Sequence, residues 1–233
     1  MTERNRNIWA GLRAEIPLLV GVFPFGLIYG AIALSSGLSP AEAQMMSSIL
    51  FAGSSQLIAA QLFHEAAPGL VIVLTIAVVN LRHMLYSASL APYVSSLPMR
   101  WKVLLSYLLT DEAYAASIIH YEKEGVTPYS HWFFLAAGFS LWLTWQVSTA
   151  LGIFLGSAIP ASWPLTFALP LTFIAMVVPA LKTRPTVAAA LSAGVIALLA
   201  YSLPYKLGLM LAALVGISVG TLLEGTQSSE ETL

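Results

Sequence analysis

The 233-residue chain contains no cysteine and little charge, because charged residues make up only 9% of it and apolar residues 58%. The absence of cysteine excludes disulfides, thiolate metal ligands and a cysteine nucleophile. Soluble domains carry about 25% charged residues, so this chain lacks the polar side chains that a water-exposed surface needs. Its net charge of -1 also argues against a nucleic-acid-binding surface, which requires clustered basic residues. The composition therefore indicates an integral membrane protein.

Sequence motifs of several enzyme classes are missing as well. The chain has neither Gly-x-x-x-x-Gly-Lys-Ser/Thr nor Gly-x-Gly-x-x-Gly, which bind nucleotides, and it lacks the zinc-protease motif His-Glu-x-x-His. Its four histidines are scattered along the sequence, so we predict no metal site and no cofactor. An intramembrane enzyme using Asp111 with His83 or His120 as acid and base would lack a nucleophile. We therefore predict that the chain is not an enzyme.

Long apolar runs dominate what is present. A membrane helix needs about 20 mostly apolar residues to cross roughly 30 Å of hydrocarbon. Runs of this length predict an all-α, polytopic transmembrane helical bundle of seven or eight spans, near residues 16–36, 42–63, 68–90, 102–120, 132–156, 163–181, 186–203 and 205–223. Charged residues interrupt the fourth run and three prolines the sixth, so we expect broken helices, which membranes tolerate where the protein satisfies the freed backbone groups.

The ends of the chain differ from its middle. Residues 1–15 carry three arginines and are predicted to be a cytoplasmic N-terminal segment, since basic residues stay on the cytoplasmic side. Residues 16–223 form the predicted transmembrane domain. Residues 224–233 are acidic and rich in serine and threonine, which predicts a disordered tail. The basic residues of the later loops do not fix the remaining topology.

An internal repeat is weakly indicated. Gly37–Pro40 and Gly156–Pro160 each precede an apolar segment with similarly spaced alanines and isoleucines. Repeats of this kind are typical of transporters, whose binding sites lie where interrupted helices meet. Alanine-rich membrane segments also match by chance, so both explanations remain open.

The middle of the third run reads Asn80-Leu81-Arg82-His83. An arginine at a helix centre costs about 2.5–3.5 kcal/mol on insertion scales and usually faces the bundle interior or a water-filled cavity. In one interpretation Arg82 binds a ligand carboxylate or a partner Asp or Glu. In the other the helix ends near Asn80, and Arg82 reaches the interface as a topology anchor. His83 is predicted to assist by hydrogen bonding, with proton coupling as its alternative role.

Asp111 and Glu112 lie side by side in the fourth run. Adjacent helical residues point about 100° apart, so their surroundings need not be the same. A carboxylate within a membrane is a candidate proton or ion site, whereas an interfacial ion pair with Arg100 or Lys102 is the structural alternative. Because Arg82 is the intramembrane cation that can neutralise such a carboxylate, we predict an Arg82–Asp111 ion pair.

The second run contains Phe51-Ala-Gly-Ser54-Ser55-Gln56. Small residues and hydroxyls in a membrane helix allow close packing and interhelical hydrogen bonds. They are equally typical of a local unwinding whose backbone and side chains bind a polar substrate. The sequence alone does not distinguish these two interpretations.

Several of these motifs together carry a family resemblance. Pro24-Phe-Gly-Leu-Ile-Tyr-Gly30, Phe51-Ala-Gly-Ser-Ser-Gln-Leu57, Asn80-Leu-Arg-His83 with Tyr86-Ser87, Thr110-Asp-Glu-Ala-Tyr114 and Leu169-Pro-Leu-Thr-Phe-Ile-Ala175 with Val178-Pro179 occur in this order. The pattern resembles the AzlC family of bacterial branched-chain amino acid permeases over about residues 10–223. The resemblance implies a multi-pass exporter in the bacterial inner membrane, acting on valine, leucine, isoleucine and toxic analogues such as azaleucine. It also implies a small membrane partner of the AzlD type.

With that resemblance, the candidate residues take specific roles. The predicted substrate-binding residues are Arg82, Asn80, Ser54, Ser55, Gln56, Phe51 and Tyr86, and the predicted ion- or proton-coupling residues are Asp111, Glu112 and His83. One position departs from the family pattern, because Thr166 stands where an acidic residue is expected; this makes Asp111 and Glu112 more important here. A non-transporting scaffold subunit, whose polar cluster binds the small partner, is the rival interpretation.

Overall fold

The computed structural model describes residues 2–156, 181–203 and 207–230. Within these ranges the chain is helical and contains no strand, so the predicted all-α class is confirmed. The helices are α1 (Glu3–Ser35), α2 (Pro40–Ile49), α3 (Gly53–His64), α4 (Gly69–Val79), α5 (Leu81–Val94), α6 (Met99–Tyr107), α7 (Asp111–Glu124), α8 (His131–Gly156), α9 (Arg184–Leu199) and α10 (Leu207–Glu230).

The chain divides into two compact units. Unit 1 comprises Met1–Gln61 and Asn80–Trp163, and unit 2 comprises Leu62–Val79 and Pro164–Leu233. The predicted transmembrane domain, residues 16–223, includes parts of both units. Helix α1 already begins at Glu3, within the predicted N-terminal segment, and α10 continues through residues 224–230, for which the composition predicted disorder.

Unit 1 is organised around the packing of α1 on α8. The two helices run in the same direction, because Gly11 lies against Phe133 and Gly30 lies against Thr149. A β-carbon on Gly30 would come within 2.5 Å of the Thr149 carbonyl oxygen. The two backbones are therefore in direct contact, as small residues permit in membrane helix pairs. Helices α5 to α8 enclose an apolar core made by Leu90, Leu105, Leu109, Ala113, Tyr121 and Phe134.

Three predicted spans are not single helices, which corrects the sequence prediction. The run 42–63 is divided into α2 and α3 by residues 50–52, and the run 102–120 is divided into α6 and α7 by residues 108–110. The run 68–90 is divided into α4 and α5 at Asn80. Backbone groups freed by a break inside a membrane must find partners in the protein. At the first break, the side chains of Gln56 and Tyr107 donate to carbonyl oxygens of the last turn of α2.

Unit 2 contains the helical pair α9 and α10, and α10 also packs against α4. Small residues again set the contact: a β-carbon on Gly216 would lie 2.9 Å from the side chain of Ala193, and one on Gly208 would lie 2.4 Å from the Ala200 carbonyl oxygen. Thr183 begins α9 by accepting a hydrogen bond from the Thr186 backbone N–H at 3.3 Å, which satisfies one of the free donors of the first turn.

Three described helical stretches are long and apolar enough to cross a membrane: Glu3–Ser35, Gly69–Val94 and His131–Gly156. Apolar side chains such as Val20 and Leu198, with 72% and 78% of their surface exposed, suit contact with lipid rather than water. The predicted span 163–181, the second half of the weak repeat and Thr166 lie almost entirely outside the described residues.

Candidate functional site: an ion pair at broken helices

Three interruptions of helical structure bring polar residues together in unit 1. They fall at residues 50–52, between α2 and α3; at Asn80, just before α5; and at residues 108–110, between α6 and α7. The backbone of Asn80 has φ -85° and ψ 0°, a conformation typical of turns rather than of a regular helix. Polar side chains follow each interruption directly, and they meet around Arg82.

Arg82 and Asp111 form an ion pair. The guanidinium Nη1 lies 2.5 Å from Asp111 Oδ2, and Nη2 donates to the Ser54 hydroxyl at 2.8 Å. The predicted Arg82–Asp111 pair is thus confirmed, and Asp111 does not pair with Arg100 or Lys102. The helix does break at Asn80, as the interpretation of Arg82 as a topology anchor predicts. Arg82 nevertheless turns toward protein partners.

Ser55 and Asn80 form a second link between two of the breaks. The Ser55 hydroxyl donates to Asn80 Oδ1 at 2.7 Å, and Ser55 is fully buried. Together with the Ser54–Arg82 contact, this bond ties the first turn of α3 to the start of α5. Three of the predicted substrate-binding residues therefore lie near Arg82: Ser54 bonds it directly, and Ser55 and Asn80 form the adjacent hydrogen bond.

The Gln56 side chain is hydrogen-bonded within the protein at the first helix break. It is fully buried; the amide nitrogen donates to the carbonyl oxygens of Leu50 and Ser47, and the amide oxygen accepts from Trp145 Nε1 at 3.2 Å. Both ends of the amide are thus engaged within the protein. The geometry favours local unwinding over simple helix packing, with Gln56 stabilising the unwound segment.

Replacing Gln56 by leucine should destabilise the fold. The change leaves the Trp145 N–H without its partner and removes the amide donor shared by the Ser47 and Leu50 carbonyl oxygens. An unsatisfied buried group costs about 1–3 kcal/mol. Thermal unfolding in detergent should show a lower transition temperature than wild type. Gln61→Leu on the same helix is the matched control, because the Gln61 side chain makes no hydrogen bond among the described residues. Equal stability of the two variants would contradict the role of Gln56.

Aromatic rings surround this group. Tyr86 stacks on Tyr114 with ring centroids 4.5 Å apart and contacts the His83 ring edge-on at 5.9 Å. Phe51, at the first break, lies 6.3 Å from the ring of Tyr107. His83 Nδ1 lies 3.3 Å from the Asn80 carbonyl oxygen, consistent with the hydrogen-bonding role predicted for it. Tyr86 and His83 thus lie within one or two helical turns of Arg82, and Phe51 lies close to Ser54 along the chain.

The carboxylates are more numerous than the sequence suggested. Glu112 interacts electrostatically with Asp111 and Arg82, and also with Glu15 of α1. The sequence places Glu15 at the end of the predicted N-terminal segment, because residues 1–15 are polar and basic. Its position immediately before the apolar run at Ile16 was the available signal, but only the packing of α1 shows that it is buried.

The ion pair retains unused bonding capacity. Arg82 Nε and Asp111 Oδ1 are buried atoms with no hydrogen-bond partner among the described residues, although the side chains as a whole are 30% and 28% exposed. A guanidinium N–H donates to a carboxylate, and a carboxylate oxygen accepts from an ammonium group. Within the part of the chain that the structure describes, the ion pair therefore has one donor and one acceptor left over, which match the two charged groups of a zwitterion.

These features define a helical integral membrane protein with a polar site at interrupted helices. Comparison with known proteins agrees: residues 17–159 match the family model described as AzlC protein. The chain therefore belongs to the AzlC family.

Individual relatives extend over most of the chain. An uncharacterized membrane protein of Archaeoglobus fulgidus is 30% identical and covers 88% of this chain and 90% of its own length. The inner membrane protein YgaZ of Escherichia coli is 27% identical over 91% and 87%. The branched-chain amino acid transport protein AzlC of Bacillus subtilis is 26% identical over 66% and 61%. No solved structure matches.

Proposed function

We propose that the chain is a secondary transporter that exports branched-chain amino acids from the bacterial cytoplasm across the inner membrane. One observation carries the proposal: Arg82 Nε and Asp111 Oδ1, which have no hydrogen-bond partner among the described residues, lie in one ion pair beside broken helices. Broken helices place polar groups within a membrane where a substrate can reach them. The printed name of the Bacillus subtilis relative, a branched-chain amino acid transport protein, supports the same substrate class.

In this proposal the substrate carboxylate binds Arg82, and the substrate ammonium binds Asp111. The Ser54 hydroxyl holds Arg82 in place, and the hydrogen bond of Ser55 with Asn80 holds the break at residue 80. Gln56 stabilises the unwound segment before α3. The rings of Phe51 and Tyr86 border the space for an aliphatic side chain. Glu112 and His83 adjust the charge around the pair during the cycle. We also propose that a small membrane protein of the AzlD type assists this chain. The chain itself catalyses no chemical step in this proposal.

Counterflow in proteoliposomes tests the proposal. Vesicles loaded with unlabelled leucine should accumulate labelled leucine from outside when they contain this chain, because a carrier exchanges substrate without a net driving force. The experiment is run with the chain alone and with the small partner added. Competition by valine and isoleucine, but not by lysine or glutamate, should show the substrate class. Absence of counterflow in both preparations would favour the scaffold interpretation.

A further inference from the structure

Glu15 is a buried carboxylate that the proposed binding site does not use. None of its surface is exposed, and neither Oε1 nor Oε2 has a hydrogen-bond partner among the described residues. Removing an ionised carboxylate from water without a compensating partner is so unfavourable that such a group is found as the neutral acid. The surroundings of Glu15 therefore favour a bound proton.

The position of Glu15 is fixed by the packing of α1 against α7. At one level Asn7 Oδ1 contacts His120 Nε2 at 3.3 Å, and at another level Glu15 interacts with Glu112. Asn7 and Glu15 are eight residues apart, as are Glu112 and His120, which corresponds to about 12 Å along each helix. The two helices thus run antiparallel, and one register accounts for the Asn7–His120 contact and for the electrostatic interaction of Glu15 with Glu112. Glu15 faces the first turn of α7.

The charged neighbours of Glu15 reinforce the need for a proton. Glu112 of α7 is one charged neighbour. The residue next to it, Asp111, is paired with Arg82 of α5. Arg13 is near in sequence on α1, but no ion pair joins it to Glu15 among the described residues. The titratable residues of the other two helices packed on α1, His131 of α8 and Glu42 of α2, lie in the first turns of those helices.

We propose that Glu15 is the proton-binding carboxyl group that couples the proton gradient to transport. It binds and releases one proton per cycle on its side-chain oxygens, and Glu112 connects it electrostatically to the Arg82–Asp111 pair. This inference rests on the proposed transport function. It assigns proton coupling to a residue of α1 outside the substrate site, so substrate binding and proton binding occupy different but interacting groups.

Glu15→Gln tests this assignment, because glutamine has nearly the shape of a neutral glutamic acid but cannot release a proton. The variant should retain leucine counterflow at equal pH on both sides. It should lose the acceleration of leucine flux that an imposed pH gradient gives to the wild type. Glu3→Gln, the same chemical change in the first turn of the same helix, is the control and should keep both activities.

An infrared measurement gives a readout that is independent of transport. Purified wild-type protein at neutral pH should show the carbonyl stretch of a protonated carboxylic acid, and Glu15→Gln should lack that band while Glu3→Gln keeps it. If Glu15→Gln cannot be purified as a folded protein, Glu112→Gln decides, because Glu112 is the neighbouring carboxyl group that can give the same band. A band that Glu112→Gln keeps at neutral pH supports the proposal, and the absence of any such band overturns it.

The outcomes separate the two proposals. A wild type without counterflow, alone or with the small partner, overturns the proposed function. A wild type with counterflow and gradient-driven flux, both unchanged in Glu15→Gln, overturns only the assignment of Glu15. Flux that follows an imposed Na⁺ gradient and ignores the pH gradient would also overturn proton coupling at this residue.

Discussion

Replacing Arg82 by alanine should reduce leucine counterflow to the background of empty vesicles. Arg82 is the group proposed to bind the substrate carboxylate, and it also holds Asp111 and Ser54 in place. A hydrogen bond to a charged group contributes about 1.5–3 kcal/mol, and each 1.4 kcal/mol corresponds to roughly a tenfold change in affinity. Losing one such bond to the substrate would weaken binding by about 10- to 100-fold, before any effect on Asp111.

Two further variants distinguish recognition from folding. Arg82→Ala leaves Asp111 without its cation, and breaking such a pair destabilises a protein more than removing both partners does. The double variant Arg82→Ala with Asp111→Ala should therefore recover stability but not transport. Arg82→Lys keeps the charge but lacks the planar fork of donors and should retain only part of the activity.

Arg100→Ala, which removes an exposed arginine of α6, is the matched control for loss of positive charge and should transport normally. Counterflow at the wild-type rate by well-expressed Arg82→Ala would eliminate Arg82 from the mechanism.

Gly30→Ala should lower the stability of unit 1 more than its single added methyl group suggests. The new β-carbon would lie 2.5 Å from the Thr149 carbonyl oxygen and 2.7 Å from the Ile153 nitrogen. Both atoms belong to the backbone of α8, so no side chain can rotate away and the helices must separate. Overpacking of this kind costs about 1–3 kcal/mol, and separation also weakens the remaining α1–α8 contacts. Thermal unfolding in detergent should show a clearly lower transition temperature.

Gly21→Ala is the matched control, because Gly21 lies on the same helix and a β-carbon there would meet nothing within 4 Å. Alanine is favoured over glycine in a helix by about 0.8–1 kcal/mol, so this variant should be as stable as wild type or more so. The two substitutions are therefore expected to change stability in opposite directions. A stable Gly30→Ala protein would show that α1 and α8 do not pack as described.

The sequence predicted several helices well and misjudged others for a physical reason. The run 132–156 corresponds to α8 within one residue, whereas the run 68–90 corresponds to α4 and α5, which are separated at Asn80. The runs 42–63 and 102–120 were each read as one span because hydropathy averages over a window and does not detect where backbone hydrogen bonds stop. Their breaks depend on partners distant in sequence, such as Trp145 for Gln56.

The candidate site was predictable in part. The pairing of Arg82 with Asp111 followed from their opposite charges within apolar runs, since few partners exist for an intramembrane arginine. The roles of Gln56 and Glu15 did not follow. A glutamine in an apolar run has the same local pattern whether it binds substrate or satisfies carbonyl groups. A glutamate at the edge of a polar segment has the same pattern whether it is exposed or buried.

The sequence by itself determined that this is a helical membrane protein with an intramembrane ion pair, because apolar length and the cost of unpaired charge are local properties of the chain. Only the tertiary structure decided where the helices break and which carboxylate is buried. Those features arise from contacts between segments far apart in sequence. The packing of α1, α3, α5, α7 and α8 creates these contacts. It allows the hydrogen bonds of Gln56 with Trp145 and of Ser55 with Asn80, and the electrostatic interaction of Glu15 with Glu112.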